Sequence, residues 1–329
     1  MKMDYFKVNE RDYSIDLLKF LAVFIIMNSH MDSLYPDALR ILATGGAIGD
    51  TIFLFCSGYT LSNINNSTFG GWYKKRISRI YPSVIICSIL GSILTQKYVI
   101  KLETIAGGEF IMAIMIYYIV YYLIKCFIPQ KLYFCIIFIL VLSIIVYIIY
   151  FPYKYETGSK GIYGFSTLFR WIPYFAFMLI GSAVKQKKYT IKLNLLKDSL
   201  FLFISVLCFY LPQYLAKNIT FWAPFQIVTI LPLIGINIFI YKLFRSLSLL
   251  KLLINNKTFI LFISSLCLES YLIQYSVFTE IFNNLFPFNL IINVILVLIF
   301  SFVCKILSRL FIQIFNDGDL VWKNIIKLY

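Results

Sequence analysis

Apolar residues gather in ten long stretches along this chain, at about positions 15–31, 47–63, 80–96, 110–127, 131–151, 168–184, 199–215, 222–243, 258–281 and 287–308, with polar residues collected between them. A helix needs roughly 20 mainly apolar residues to cross the hydrocarbon layer of a bilayer. The pattern therefore predicts an all-α, polytopic membrane helix bundle of about ten transmembrane helices. The connecting segments are short, so residues 1–329 are expected to form a single integral-membrane domain with no appended soluble domain.

Lysine and arginine give the orientation, because short cytoplasmic loops are enriched in both. With the N-terminus inside, the inner segments hold Lys2, Lys7, Arg11 and Lys19; Lys74, Lys75, Arg76 and Arg79; Lys125 and Lys131; Lys185, Lys187, Lys188, Lys192 and Lys197; Lys242, Arg245, Lys251 and Lys257; and Lys305, Arg309, Lys323 and Lys327. These are 23 of the 30 basic residues; Arg40, Lys97, Lys101, Lys154, Lys160, Arg170 and Lys217 fall outside. An even number of spans with both N- and C-termini cytoplasmic follows. The net charge of +15 is then an orientation signal plus attraction to anionic membrane lipid, and nucleic acid is not an expected partner.

Composition agrees: 60% apolar, 19% aromatic and 14% charged residues lie outside the range of water-soluble globules. The first apolar run has no small-x-small cleavage site after it and is read as a retained span. The seven cysteines include no CxxC pair and most lie inside spans, where they act as small apolar packing residues. With a single histidine, His30, and no Cys/His cluster, no metal is expected. Neither GxGxxG nor GxxxxGK occurs.

Ionisable groups at membrane depth are costly and are functional candidates by default. The first span, "IDLLKFLAVFIIMNSH", has Lys19 near its inner end and His30 near its outer end. Eleven helical positions bring His30 back to within about 20° of Lys19, about 16 Å further along the axis. Val23 and Ile26 lie on the same stripe. Lys19 either snorkels to the headgroups or takes part in chemistry alongside His30. In the second span, "GAIGDTIFLFCSGYTLS", Asp50 starts at the outer side. It can orient His30 for base catalysis or simply complement a helix N-terminus. Ser57 shares its face, and Gly58 permits close approach of a neighbouring helix.

"GWYKKRISRIYPSV" follows, with Arg76 and Arg79 one turn apart at the cytoplasmic face. Paired guanidinium forks suit phosphate, although positive-inside enrichment accounts for basic residues here too, Lys74 and Lys75 above all. Pro82 lies in the helix's early turns. The ninth span, "SSLCLESYLIQYSVF", buries Glu269, Tyr271 and Gln274. Glu269 needs a partner, with Lys19 as one candidate, or stays neutral. Tyr271 and Gln274 share a face and either line a polar cavity or pack.

Together these stretches resemble the membrane-bound acyltransferase family 3. "RDYSIDLLKFLAVFIIMNSH" is similar to that family's arginine-led first span ending in histidine, which brings Arg11 in. "GDTIFLFCSGYTLS" resembles its second span, with Tyr59 at a phenylalanine position. "KKRISRIYP" matches an Arg-x-x-Arg-x-x-Pro signature, while "ESYLIQ" and "FAFMLIGSAV" resemble later segments. Two departures stand out: Lys19 occupies a position where the family usually has arginine, and Gln274 one where histidine is common.

The resemblance implies transfer of an acyl group, commonly acetyl from acetyl-CoA, to a hydroxyl of an envelope glycan or lipid-linked sugar in a bacterial plasma membrane. His30, Asp50 and Lys19 would be catalytic. Arg76, Arg79 and Arg11 would hold the CoA donor, and Ser57, Glu269, Tyr271 and Gln274 would line the cavity. Direct transfer and a covalent acyl-histidine both remain open. The competing reading is a transporter or flippase for a lipid-linked glycan or small solute. Such a protein should show repeats or paired Gly/Pro-broken spans. A polymerase should carry a large outer loop, whereas the outer loops here are modest.

Overall fold

A computed structural model describes residues 11–62, 68–96, 106–150, 161–164, 168–187, 191–246, 256–315 and 320–327. Of the basic residues that set the orientation, Lys2, Lys7, Lys97, Lys101, Lys154, Lys160, Lys188 and Lys251 lie outside them. The described residues form helices and no strand. In chain order these are α1 (Tyr13–Ser29), α2 (Gly46–Thr60), α3 (Phe69–Thr95), α4 (Gly108–Phe127), α5 (Leu132–Tyr150), α6 (Trp171–Gln186), α7 (Leu195–Asn218), α8 (Ile230–Phe244), α9 (Lys257–Ser265), α10 (Cys267–Val277), α11 (Phe288–Ile314) and the short α12 (Trp322–Ile325).

Seven segments are long and apolar enough to cross a membrane: α3, α4, α7, α11, and α2, α5 and α8 with the 3₁₀ turns that lead into them. The pair α9 and α10, bent by 65° at Leu266, makes an eighth if counted as one broken span. The two remaining predicted stretches are helices as well, α1 of 17 residues and α6 of 16. At about 1.5 Å per residue they rise only about 24–26 Å, short of the roughly 30 Å hydrocarbon thickness. By length and composition the described helices thus supply seven spans, or eight with the bent pair, against the ten predicted. Every residue of α6 from Pro173 to Ala183 is buried, so protein rather than lipid meets nearly all of its surface.

The periphery is ordered in the opposite sense to that of a soluble protein. On α11 the buried positions are Asn289, Asn293, Val297, Ser301, Cys304 and Ser308, a small and polar stripe at helical spacing. Ile291, Ile295 and Ile299 on the same helix are exposed. Helices α5 and α7 likewise turn Ile137, Phe138, Leu200 and Phe203 outward. Lipid supplies no hydrophobic drive between helices, so small and hydrogen-bonding residues form the contacts and large apolar ones face the acyl chains. Five of the free cysteines are buried in this packing; Cys126 and Cys208 are exposed.

At the centre, α2 lies directly on α6. A Cβ at Gly58 would stand 1.7 Å from the Met178 carbonyl oxygen, and one at Gly181 would stand 2.0 Å from the Phe55 carbonyl oxygen. The two glycines are reciprocal: each lets the other helix's backbone come into contact, as expected of Gly58 from sequence. Helix α1 packs on the other side of α2 and against α9 and α10, while α3 packs against α10 and α11. The turn from α1 into α2 ends on Gly45 at φ +104°, a left-handed conformation that favours glycine.

Candidate functional site

Helix α1 is capped at its start by Asp12, whose carboxylate accepts from the Ser14 amide at 3.2 Å, and it closes on His30, whose amide donates to the carbonyls of Asn28 and Met27. Closing there places the imidazole at the helix's end, half-buried. The Tyr275 hydroxyl of α10 hydrogen-bonds His30 Nδ1, and the two rings lie 4.7 Å apart between centroids at 56°. Asp50, half-buried at the start of α2, acts electrostatically on the phenols of Tyr275, Tyr271, Tyr117 and Tyr174. Arg170 opposes it at all four. His30 and Tyr275 thus meet at one end of the bundle, where Tyr275 is 64% exposed, and Asp50 and Arg170 act on that same tyrosine. Tyr271 also packs, its ring 4.9 Å from Phe110.

Arg170 is held firmly. Its guanidinium pairs with Glu109 at 3.0 Å and donates to the carbonyls of Gly164 at 2.6 Å and Tyr163 at 3.3 Å. Its charge is therefore fixed in place, stacked 4.7 Å from the Trp171 ring.

Deeper in the bundle, Val23 and Ile26 are buried and Lys19 is half-buried, continuing the α1 stripe. Lys19 makes no ion pair with Glu269. The partner of Glu269 is Ser83, whose hydroxyl donates to Oε1 at 2.9 Å. Its Oε2 is buried with no hydrogen-bond partner among the described residues. Lys19 instead exerts its field on the thiols of Cys56 and Cys267 and on Lys305. Just before the break at Leu266, Lys305 donates to the Ser265 carbonyl, and Glu269 acts electrostatically on Lys305. Gln274 is fully buried; its amide donates to the Tyr271 carbonyl at 3.2 Å and its Oε1 is unpartnered among the described residues.

At the opposite end, α3 runs through Pro82 without interruption, and Arg76 and Arg79 lie within each other's field. Arg79 is exposed and Arg76 half-buried. The Arg76 guanidinium sits 4.9 Å over the Trp72 ring, facing Tyr118 and Tyr121 of α4. Ser57 is within 3.1 Å of the Tyr118 hydroxyl, so it faces the Arg76 end rather than His30. Arg11 grips Asp16 through two hydrogen bonds of 2.8 Å, and any phosphate it held would share the guanidinium with that carboxylate.

The sequence reading missed Tyr275, Arg170, Ser83 and Trp72. Tyr275 was accessible to it, standing at i+4 from Tyr271 on the face already assigned to Tyr271 and Gln274. Arg170 and Ser83 draw their meaning from partners 61 and 186 positions away, which no local pattern reveals. Among the described residues no group of three or more His, Cys, Asp or Glu side chains is placed to hold a metal ion.

A family model described as an acyltransferase domain matches residues 12–310. No curated protein and no solved structure matches the chain. The matched range runs from the Asp12 cap of α1 almost to the end of α11, taking in both the His30 and the Arg76 ends, and the chain therefore belongs to the acyltransferase family 3 of membrane proteins.

Proposed function

We propose that this protein is an O-acyltransferase moving an acyl group, acetyl in the first instance, from cytoplasmic acyl-CoA to a hydroxyl of a cell-surface polysaccharide or lipid-linked sugar. In this reading it sits in a bacterial plasma membrane with ten spans and both termini inside. Arg76 and Arg79 hold donor phosphates at the cytoplasmic end, with Arg11 beside them. The pantetheine arm carries the thioester past Lys19 toward His30.

His30 Nε2 removes the proton from the acceptor hydroxyl as its oxygen attacks the thioester carbonyl. The C–S bond breaks, and the imidazolium returns the proton to the departing thiolate. Asp50 and Tyr275 hold the imidazole, and Tyr271, Gln274, Glu269 and Ser57 line the path. A positioned general base contributes about 10²–10⁴-fold to rate. The observation that carries this reading is the bond between the chain's one imidazole and Tyr275, beside Asp50, in a protein of this family.

The test is label transfer from radiolabelled acetyl-CoA to candidate glycans by purified protein in liposomes. We expect transfer by the wild type and its loss in His30→Ala. Equal transfer by His30→Ala would overturn the assignment of the base. Movement of an unmodified lipid-linked sugar across the bilayer without acylation would favour a flippase.

A further inference from the structure

Two buried hydrogen-bond donors beside Arg79 have no acceptor among the described residues. Trp72 is 3% exposed, yet its Nε1 has no partner among the described residues, and the same holds for Arg76 Nε. A buried donor left unmade costs about 1–3 kcal/mol, and native interiors leave few. Two adjacent ones, on side chains stacked 4.9 Å apart, point to an acceptor that both can share.

The ordinary account of a tryptophan near a membrane surface is an interfacial anchor, with its ring among the headgroups. Trp72 does not fit that account. Its ring is turned inward, edge-on to Tyr118 at 6.0 Å and 87°, and 5.3 Å from Tyr122. Around this pair the hydroxyls of Ser57 and Tyr118 bond each other at 3.1 Å, and Tyr121 donates to Ser182 at 2.9 Å. The place is polar and positively charged, and Arg79 adds a second cation within reach of Arg76. The acceptor that suits it is an anionic oxygen, since a neutral carbonyl would leave the guanidinium charges uncompensated.

We propose that Trp72 Nε1 and Arg76 Nε together bind one phosphate oxygen of the acyl donor, making Trp72 a donor-specificity residue. This rests on the acyl-CoA reading above. A phosphate could also come from an inner-leaflet lipid headgroup, so the experiment separates the two sources.

Binding of CoA, dephospho-CoA and pantetheine is measured by calorimetry on the detergent-purified full chain, and on the same chain in nanodiscs of zwitterionic or anionic lipid. The variant is Trp72→Phe, which keeps the stacked ring and its edge contact but deletes the N–H. We expect wild-type binding of CoA, little binding of pantetheine, and a CoA Kd about tenfold weaker in Trp72→Phe with a melting temperature that is unchanged or higher. Because Trp72→Phe also removes an orphaned donor, a mere packing role predicts unchanged or higher stability with no change in Kd. Wild-type CoA binding equal to that of Trp72→Phe overturns the proposal and leaves the acyl-CoA reading intact. Failure of the wild type to bind any of the three overturns the acyl-CoA reading and the proposal with it. Unaltered CoA binding together with loss of a preference for anionic nanodiscs in Trp72→Phe assigns the oxygen to lipid and overturns the proposal as stated.

Discussion

The Tyr275 hydroxyl meets His30 Nδ1 across 245 positions of sequence, joining the end of α1 to α10. Its consequence is tautomeric. In the proposed mechanism the phenol oxygen accepts from Nδ1–H and leaves the Nε2 lone pair as the basic site, whereas a phenol donating to Nδ1 would place the proton on Nε2. His30 is the sole histidine, so ¹⁵N-histidine labelling gives one imidazole spectrum. We expect the Nδ1–H tautomer in the wild type and a mixture in Tyr275→Phe, with kcat falling about tenfold, the low end of general-base effects, and acceptor KM little changed. An unaltered tautomer and rate would remove Tyr275 from the site.

Gly58 and Gly181 predict a packing failure. Gly58→Ala puts its Cβ 1.7 Å from a backbone oxygen, which cannot swing away as a side chain would. Overpacking of this kind destabilises by about 1–3 kcal/mol, and either glycine's alanine variant should melt lower in detergent. Gly70→Ala, with nothing within 4 Å of its added methyl, should melt within a degree or so of the wild type. Equal melting of Gly58→Ala and Gly70→Ala would refute the contact.

Ser83 is the hydrogen-bond partner of buried Glu269. Ser83→Ala leaves both carboxyl oxygens unpartnered and should destabilise by about 1–3 kcal/mol. Combining it with Glu269→Leu should recover part of that loss, because the second change removes the stranded polar group. A double-mutant cycle in thermal unfolding reads the coupling; strict additivity would break the pair.

The Arg170–Glu109 pair has side-chain exposures of 11% and 30%. Arg170→Gln strands the Glu109 carboxylate and should destabilise by about 2–3 kcal/mol, below the fully buried case. Arg170→Lys should not rescue it, since one ammonium cannot serve Glu109 and the Gly164 carbonyl together in the fork geometry. Full rescue by lysine would show that charge alone matters.

Much of this was legible from the order of residues. Hydrophobic length predicted helices in every stretch, and helical arithmetic put Lys19 and His30 on one stripe, with Val23 and Ile26 buried between them. The closeness permitted by Gly58 was readable as well. What escaped were relationships across elements. The partner of Glu269 is a serine on α3, 186 positions away, and the ninth stretch is broken at Leu266 into two helices. Ser57 and Asp50 share a helical face yet serve opposite ends, because α2 is long enough for one face to meet two different neighbourhoods.

The glycine contact between α2 and α6 also bears on stiffness. Two helices locked backbone to backbone behave as one post, and the post carries Asp50 and Ser57. Tyr275 stands on α10, beyond the 65° bend at Leu266, so the electrostatic link between Asp50 and Tyr275 joins two separately anchored parts of the bundle.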